Sequence, residues 1–233
     1  MGLAADARVI AALVRGMRPA GSHAERLQRF YAPQAARYDA FRERLLHGRA
    51  ELVARLPVAT GARVVELGAG TGRNLDHFGD RIERAKAVDL VDLCPALLAL
   101  ARERHAARAN VRIVDADATS YRPDQPADCV YFSYVLTMIP AWRAALDNAV
   151  AMLRPGGVLG AVDFYVSPER HARLARAFWP RWFGHDGVRI SPEHLPALRS
   201  ALDPIECLER RAPVPYLPGL AAPYYIFVGR KRR

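Results

Sequence analysis

VVELGAGTGRNLDHF, residues 64–78, decides how the rest of the chain is read. Its β-branched opening reads as a strand with Glu66 near the end. Gly68, Gly70 and Gly72 then alternate through a turn into a helix expected over 72–79. A dinucleotide loop carries GxGxxG, whose last glycine lets the helix pack close while its N-terminus faces a pyrophosphate. That position is Arg73 here. No GK[ST] follows either, which excludes a triphosphate P-loop. The turn suits a ligand that brings no phosphate to it, or else it is a tight strand-to-helix turn with no ligand.

Outward from this stretch the pattern alternates. Strands are expected at 63–67, 85–93, 111–116, 128–134 and 158–165, with helices from Pro95 to about 108 and over 140–153, and a turn at RPGG. An aromatic-rich helical segment at 169–183 precedes two closing strands, 205–211 and 224–231. With no helix between them, these two read as an antiparallel hairpin at one edge. Upstream, residues 2–18 have helical spacing, RPAGS (18–22) breaks it, and a helical stretch runs from 23 to Pro57. The fold class is α/β: a Rossmann-like, seven-stranded, mostly parallel sheet with helices on both faces and an antiparallel last strand. Residues 1–233 read as one domain, with 1–56 as an N-terminal helical lid region and 60–233 as the α/β core.

The totals narrow the partners. A net charge of +10 points to nucleic acid, an anionic membrane or an acidic ligand. The positive charge is nearly all arginine, however, with lysine only at Lys86 and Lys231, and it forms a block only in the tail Arg230–Arg233. No nucleic-acid partner is therefore expected. The three cysteines, Cys94, Cys129 and Cys207, are odd in number and lack CxxC spacing, so they read as free thiols in a reducing cytosol, without a zinc site. The longest uncharged stretches, 129–142 and 213–229, are respectively short and proline-rich, which argues against a transmembrane helix. The expected location is cytoplasmic, with peripheral contact at the inner membrane face as an option.

The pattern E-x-G-x-G-x-G, led by Glu66, resembles motif I of the class I S-adenosylmethionine methyltransferases. Asp92 at the end of the next strand, Asp117 in VDADAT and LRPGG (153–157) before a later strand extend that resemblance over roughly 60–165. It implies S-adenosylmethionine as cofactor. Glu66 would meet the ammonium of the methionine end, Asp92 the ribose hydroxyls, and Asp117 with the Ala118 backbone the adenine amino group. Gly68, Ala69, Gly70, Asn74, Leu93 and Ser133 complete the expected cofactor set, with Tyr38 closing over it from the lid.

Longer phrases go further. FYAPQAARYDAFRERLLHGR (30–49), YFSYVLTMIPAWRAALDNA (131–149), FWPRWFGHDGVR (178–189) and PYLPGLAAPYYIFVGRK (215–231) resemble the methyltransferase component of betaine-lipid synthase. That family methylates the amine of diacylglycerylhomoserine, so the resemblance implies a lipid headgroup amine as acceptor. Phosphatidylethanolamine, a soluble amine and a non-catalytic cofactor-binding role stand as alternatives. Candidate proton-handling residues are Tyr31, Asp163, Tyr165 and His185, each with a structural alternative: a core aromatic for the tyrosines, a helix cap for Asp163, a turn for His185. Tyr131, Tyr134 and Tyr165 are candidates for an aromatic wall around a methylated cation. Arg170, Arg173 and Arg176 beside Leu174, Phe178, Trp179 and Trp182 read either as an interfacial membrane helix or as an ordinary packed one.

Overall fold

The computed structural model of the chain describes residues 21–34, 39, 42–215 and 217–232. The expected helix over 2–18 and the lid residue Tyr38 lie outside the described residues. The central strand is β1 (Arg63–Leu67), where Val64 and Val65 put one side chain on each face of the sheet. It pairs in parallel with β2 (Ala87–Asp92) on one side and β4 (Ala127–Ser133) on the other. β3 (Val111–Asp115) lies beyond β2, and β5 (Leu153–Phe164) beyond β4. β7 (Ala221–Arg230) runs antiparallel between β5 and the edge strand β6 (Asp203–Pro213). The resulting seven-stranded order is β3-β2-β1-β4-β5-β7-β6.

Period-two alternation divides the core between the two faces. On one face Val64, Tyr131, Val162 and Ile226 pack with α2 (Arg49–Arg55), α3 (Asp80–Glu83) and α6 (Arg173–Gly184). On the other, Val65, Phe132, Leu159 and Phe227 meet α5 (Trp142–Met152) and α7 (His194–Ala201). α4 (Pro95–Arg104) starts at a proline that suits a first helical position. A lid helix, α1 (His23–Tyr31), sits against α4 through Leu27, Tyr31, Cys94 and Leu97.

Three local expectations are corrected. The helix expected over 23–56 is not continuous: α1 ends at Tyr31, Ala32–Gln34 tightens into a 3-10 turn at Pro33, and α2 begins only after Gly48 with φ +82°. The helix expected over 72–79 is a 3-10 segment, Arg73–Phe78. RPGG is not a free turn but the bulged entrance to β5, with Leu153 opposite Ala127 and Val158 opposite Cys129. α7 was not expected at all; its Leu195 and Leu198 are fully buried.

Candidate active site

The C-terminal ends of β3, β2, β1 and β4 open on a cavity of about 270 Å3, close to the lower end of the roughly 300–1,000 Å3 typical of small-molecule sites. The sheet order arranges its polar groups in a line. Asp117 follows β3, Asp92 ends β2, Gly68 and Gly70 follow β1, and Tyr134 follows β4. α1 covers it with His23, Leu27 and Tyr31.

The glycines fit this task for different reasons. Gly68 has φ +75°, and a Cβ there would lie 2.1 Å from Val135 Cγ2 of the facing turn. Gly70 has φ +57°, and a Cβ there would meet Arg42 Nη1 at 3.7 Å and Leu97 Cδ1 at 3.8 Å, ordinary contacts without a clash. Gly70 lines the cavity, so a side chain there would occupy space meant for a ligand. Its N–H donates to Asp92 Oδ2 at 2.8 Å, and Cys94 N–H donates to Asp92 Oδ1 at 2.8 Å. Each carboxylate oxygen keeps a second lone pair for a ligand hydroxyl. Burial pushes the Asp92 carboxyl above its ordinary value, against the pull of these two N–H groups.

Of the residues expected at the cofactor, Gly68, Gly70, Asp92, Leu93, Asp117 and Ala118 line the cavity. Asp117 also caps its own turn by accepting from Thr119 N–H at 2.8 Å. Glu66, Ala69, Asn74 and Ser133 do not line it. Glu66 is fully buried, with Oε1 accepting from Asn74 Nδ2 at 2.6 Å and Oε2 from the Tyr131 hydroxyl at 2.7 Å. Burial raises this carboxyl to about 7. In this structure it is engaged by Asn74 and Tyr131 behind the glycine turn and does not face the cavity. Ala69 N–H donates to Val91 O at 3.0 Å inside the turn. Ser133 is buried with its hydroxyl unpartnered among the described residues.

Of the four proton-handling candidates only Tyr31 reaches the cavity. Asp163 is fully buried on β5, where it accepts from Thr137 N–H at 3.0 Å, Thr137 Oγ1 at 2.7 Å and Phe164 N–H at 2.8 Å. Burial lifts it to about 6. The carboxylate holds the turn after β4 and does not line the cavity. Tyr165 belongs to the opposite face, packed edge-on against His171 and Tyr225. His185 is exposed at the end of α6 and does not line the cavity. Of the expected aromatic wall, Tyr134 is present, while Tyr131 lies behind Glu66 and Tyr165 lies elsewhere. Tyr134 is the one non-glycine residue at positive φ among those described, +57°, held by its N–H on Val162 O at 2.8 Å and its hydroxyl on His47 O at 2.7 Å. Backbone strain of this kind gathers at ligand sites.

Several cavity residues escaped the sequence reading. Arg42 stands beside Gly70, and its charge lowers the Asp92 carboxyl. His23 opens α1 close to Asp117, held below its ordinary pKa by burial and then by Arg26. Val135, Met138 and Ile139 form an apolar wall. A helix start after Ser22 and the uncharged run VLTMIPA were the available signals.

Residues 64–157 match the model of a methyltransferase domain. The fold is that of the class I methyltransferases. The N-methyltransferase NodS of Bradyrhizobium japonicum WM9, solved with S-adenosyl-L-homocysteine, superposes over 91% of this chain and 100% of its own at a TM-score of 0.66 and 21% identity. The [4+2]-cyclase SpnF superposes over 93% of this chain and 98% of its own at a TM-score of 0.68 and 18% identity. Trans-aconitate 2-methyltransferase of Methylobacterium nodulans is 35% identical over 125 residues, 54% of this chain and 47% of the relative. The ubiquinone/menaquinone biosynthesis C-methyltransferase UbiE of Pseudomonas savastanoi is 30% identical over 155 residues, 63% of this chain and 60% of the relative. The chain thus spans about half the length of the first of these curated relatives.

Proposed function

We propose that the chain is an S-adenosylmethionine-dependent N-methyltransferase acting on the amine of a lipid headgroup, diacylglycerylhomoserine in the first instance. The observation that carries the activity is the cavity in which Asp117, Asp92, the glycine turn and Tyr134 follow one another in sheet order. Asp117 and Ala118 would hold the adenine, Asp92 the ribose, and Gly70 with Arg42 the carboxylate of the methionine end. When bound, S-adenosylmethionine supplies an electrophilic methyl group on a sulfonium.

The protein's own part is positioning. Holding two reactants in line is worth about 7–11 kcal/mol, and little else is needed for a good nucleophile. Tyr31 and Tyr134 stand on the cavity wall, where aromatic faces hold a quaternising nitrogen without hydrogen bonds. Burial holds the Tyr134 phenol well above its ordinary pKa, so it stays protonated on His47 O and takes no proton from the substrate. The amine enters as its free base. Each pH unit below its own pKa costs about 1.4 kcal/mol, so kcat/KM rises tenfold per unit until the amine is deprotonated.

The lipid acceptor is supported by the long sequence phrases and by the apolar wall of Leu27, Val135, Met138 and Ile139. A polycarboxylate such as trans-aconitate calls instead for clustered cations. The cavity's basic lining among the described residues is Arg42 and His23, the first beside the glycine turn and the second beside Asp117. The test is incubation with labelled S-adenosylmethionine and liposomes carrying diacylglycerylhomoserine or phosphatidylethanolamine, followed by mass spectrometry of the lipids. Methyl gain on the homoserine lipid alone is expected. No gain on either lipid, with the cofactor bound, overturns the acceptor and moves the search to soluble amines, then to a fold that binds cofactor without methyl transfer.

A further inference from the structure

α6 is seated on the sheet by one face and leaves another uncovered. Trp179 and Phe183 are buried, and Phe183 stacks on Phe164 at 4.2 Å between ring centroids. One step around the helix, Leu174, Phe178 and Trp182 follow at intervals of four and form an apolar ridge, with Leu174 84% exposed and Phe178 and Trp182 each more than a third exposed. The Phe178 and Trp182 rings stack within 20° of parallel, so the ridge is pre-formed. The charges on the helix itself are of one sign, although Glu169 and Asp186 bound it and Glu209 meets Arg170 at 3.6 Å. From Arg170 to His185 the chain carries Arg170, Arg173, Arg176 and Arg181 and no acid. Arg173 and Arg181 are exposed on the flanks of the ridge. Soluble surfaces interleave both signs along an element, and an exposed apolar ridge whose own helix carries cations alone matches an anionic lipid surface.

The segment that follows the ridge reaches the elements around the cavity. The chain leaves α6 through Gly187, Val188 packs against the lid cluster to which Leu27, Tyr31 and Met138 belong, and Arg189 N–H donates to Thr137 O at 2.6 Å. We infer that the Leu174–Phe178–Trp182 ridge, with Arg173 and Arg181, docks the protein on an anionic bilayer and sets the cavity mouth at its surface. Three side chains and two flanking cations give reversible, salt-sensitive attachment.

The full chain is to be sedimented with vesicles of phosphatidylcholine alone and of phosphatidylcholine with phosphatidylglycerol, at low and high salt. Neither lipid offers a methylatable amine, so the result is separate from that of the acceptor assay. Partition onto the anionic vesicles, falling in high salt, is expected. The triple variant Leu174→Ser, Phe178→Ser, Trp182→Ser should weaken it by roughly tenfold or more, and Arg173→Gln with Arg181→Gln should remove the preference for anionic lipid. Both variants should keep the circular dichroism spectrum and the S-adenosylhomocysteine affinity of the parent, which excludes misfolding as the cause. Absence of partition, or partition undiminished in the triple variant, overturns the inference; in the second case residues 1–20 or the basic tail would hold the membrane.

Discussion

Glu66 shows how one residue can matter to a site it does not line. Burial holds its carboxyl at about 7, so the folded chain keeps a proton that the unfolded chain has released by then. Stability from this group is therefore present at low pH and lost as pH rises between the ordinary carboxylate value and about 7, a change on the order of 3 kcal/mol. Asp163, at about 6, adds a smaller change of the same sign. Glu66→Gln keeps a hydrogen-bonding group between Asn74 and Tyr131 and removes the titration. Denaturant unfolding of the variant should be flatter than the parent from about pH 5 to about 8, with a gain at the upper end; equal slopes would refute the assignment. Asp92→Asn places an amide opposite two backbone donors and removes a charged acceptor from the cavity. Calorimetry with S-adenosylhomocysteine should find affinity reduced by roughly 10–100-fold. Gly70→Ala should lower that affinity too, through a methyl in the ligand's space and a strained φ.

Among elements, the lid helix α1 is held at both ends. Ser22 caps it reciprocally with Glu25, at 2.7 and 3.3 Å, and the Gln28 side-chain Oε1 accepts from Ala96 N–H at 3.1 Å at the start of α4. Ser22→Ala should cost about 1 kcal/mol of lid stability and weaken ligand binding a few-fold, read in the same calorimetric titration. The strands, the crossing helices and the acid after each early strand were legible in the sequence, because alternation and turn residues report them directly. Which acid faces the ligand was not. Glu66 and Asp92 both end or nearly end a strand, yet only Asp92 is turned to the cavity, while Asn74 and Tyr131 claim Glu66 from behind. The surroundings of Asp163 were hidden for the same reason: its partner Thr137 lies in a loop that only tertiary structure brings to β5. α7 was hidden because its apolar positions are interrupted by Pro196 and its buried His194.

At the scale of the molecule, a ligand that bridges α1, the glycine turn and the β4 turn binds the folded state alone. A hundredfold excess of S-adenosylhomocysteine over its Kd should add about 2.7 kcal/mol, which for a domain of this size is several degrees in a thermal scan. No helix among the described residues is long and apolar enough to cross a membrane. The seat of α1 on α4 has a kinetic corollary. Cys94 is fully buried, and its thiol donates to Gln28 Oε1 at 3.4 Å, directly beneath the lid. A thiol reagent reaches that sulfur only after α1 has swung away. The alkylation rate of Cys94, timed with and without S-adenosylhomocysteine, is thus a stopwatch for the opening of α1, and a slower rate with the ligand is expected if α1 closes over it.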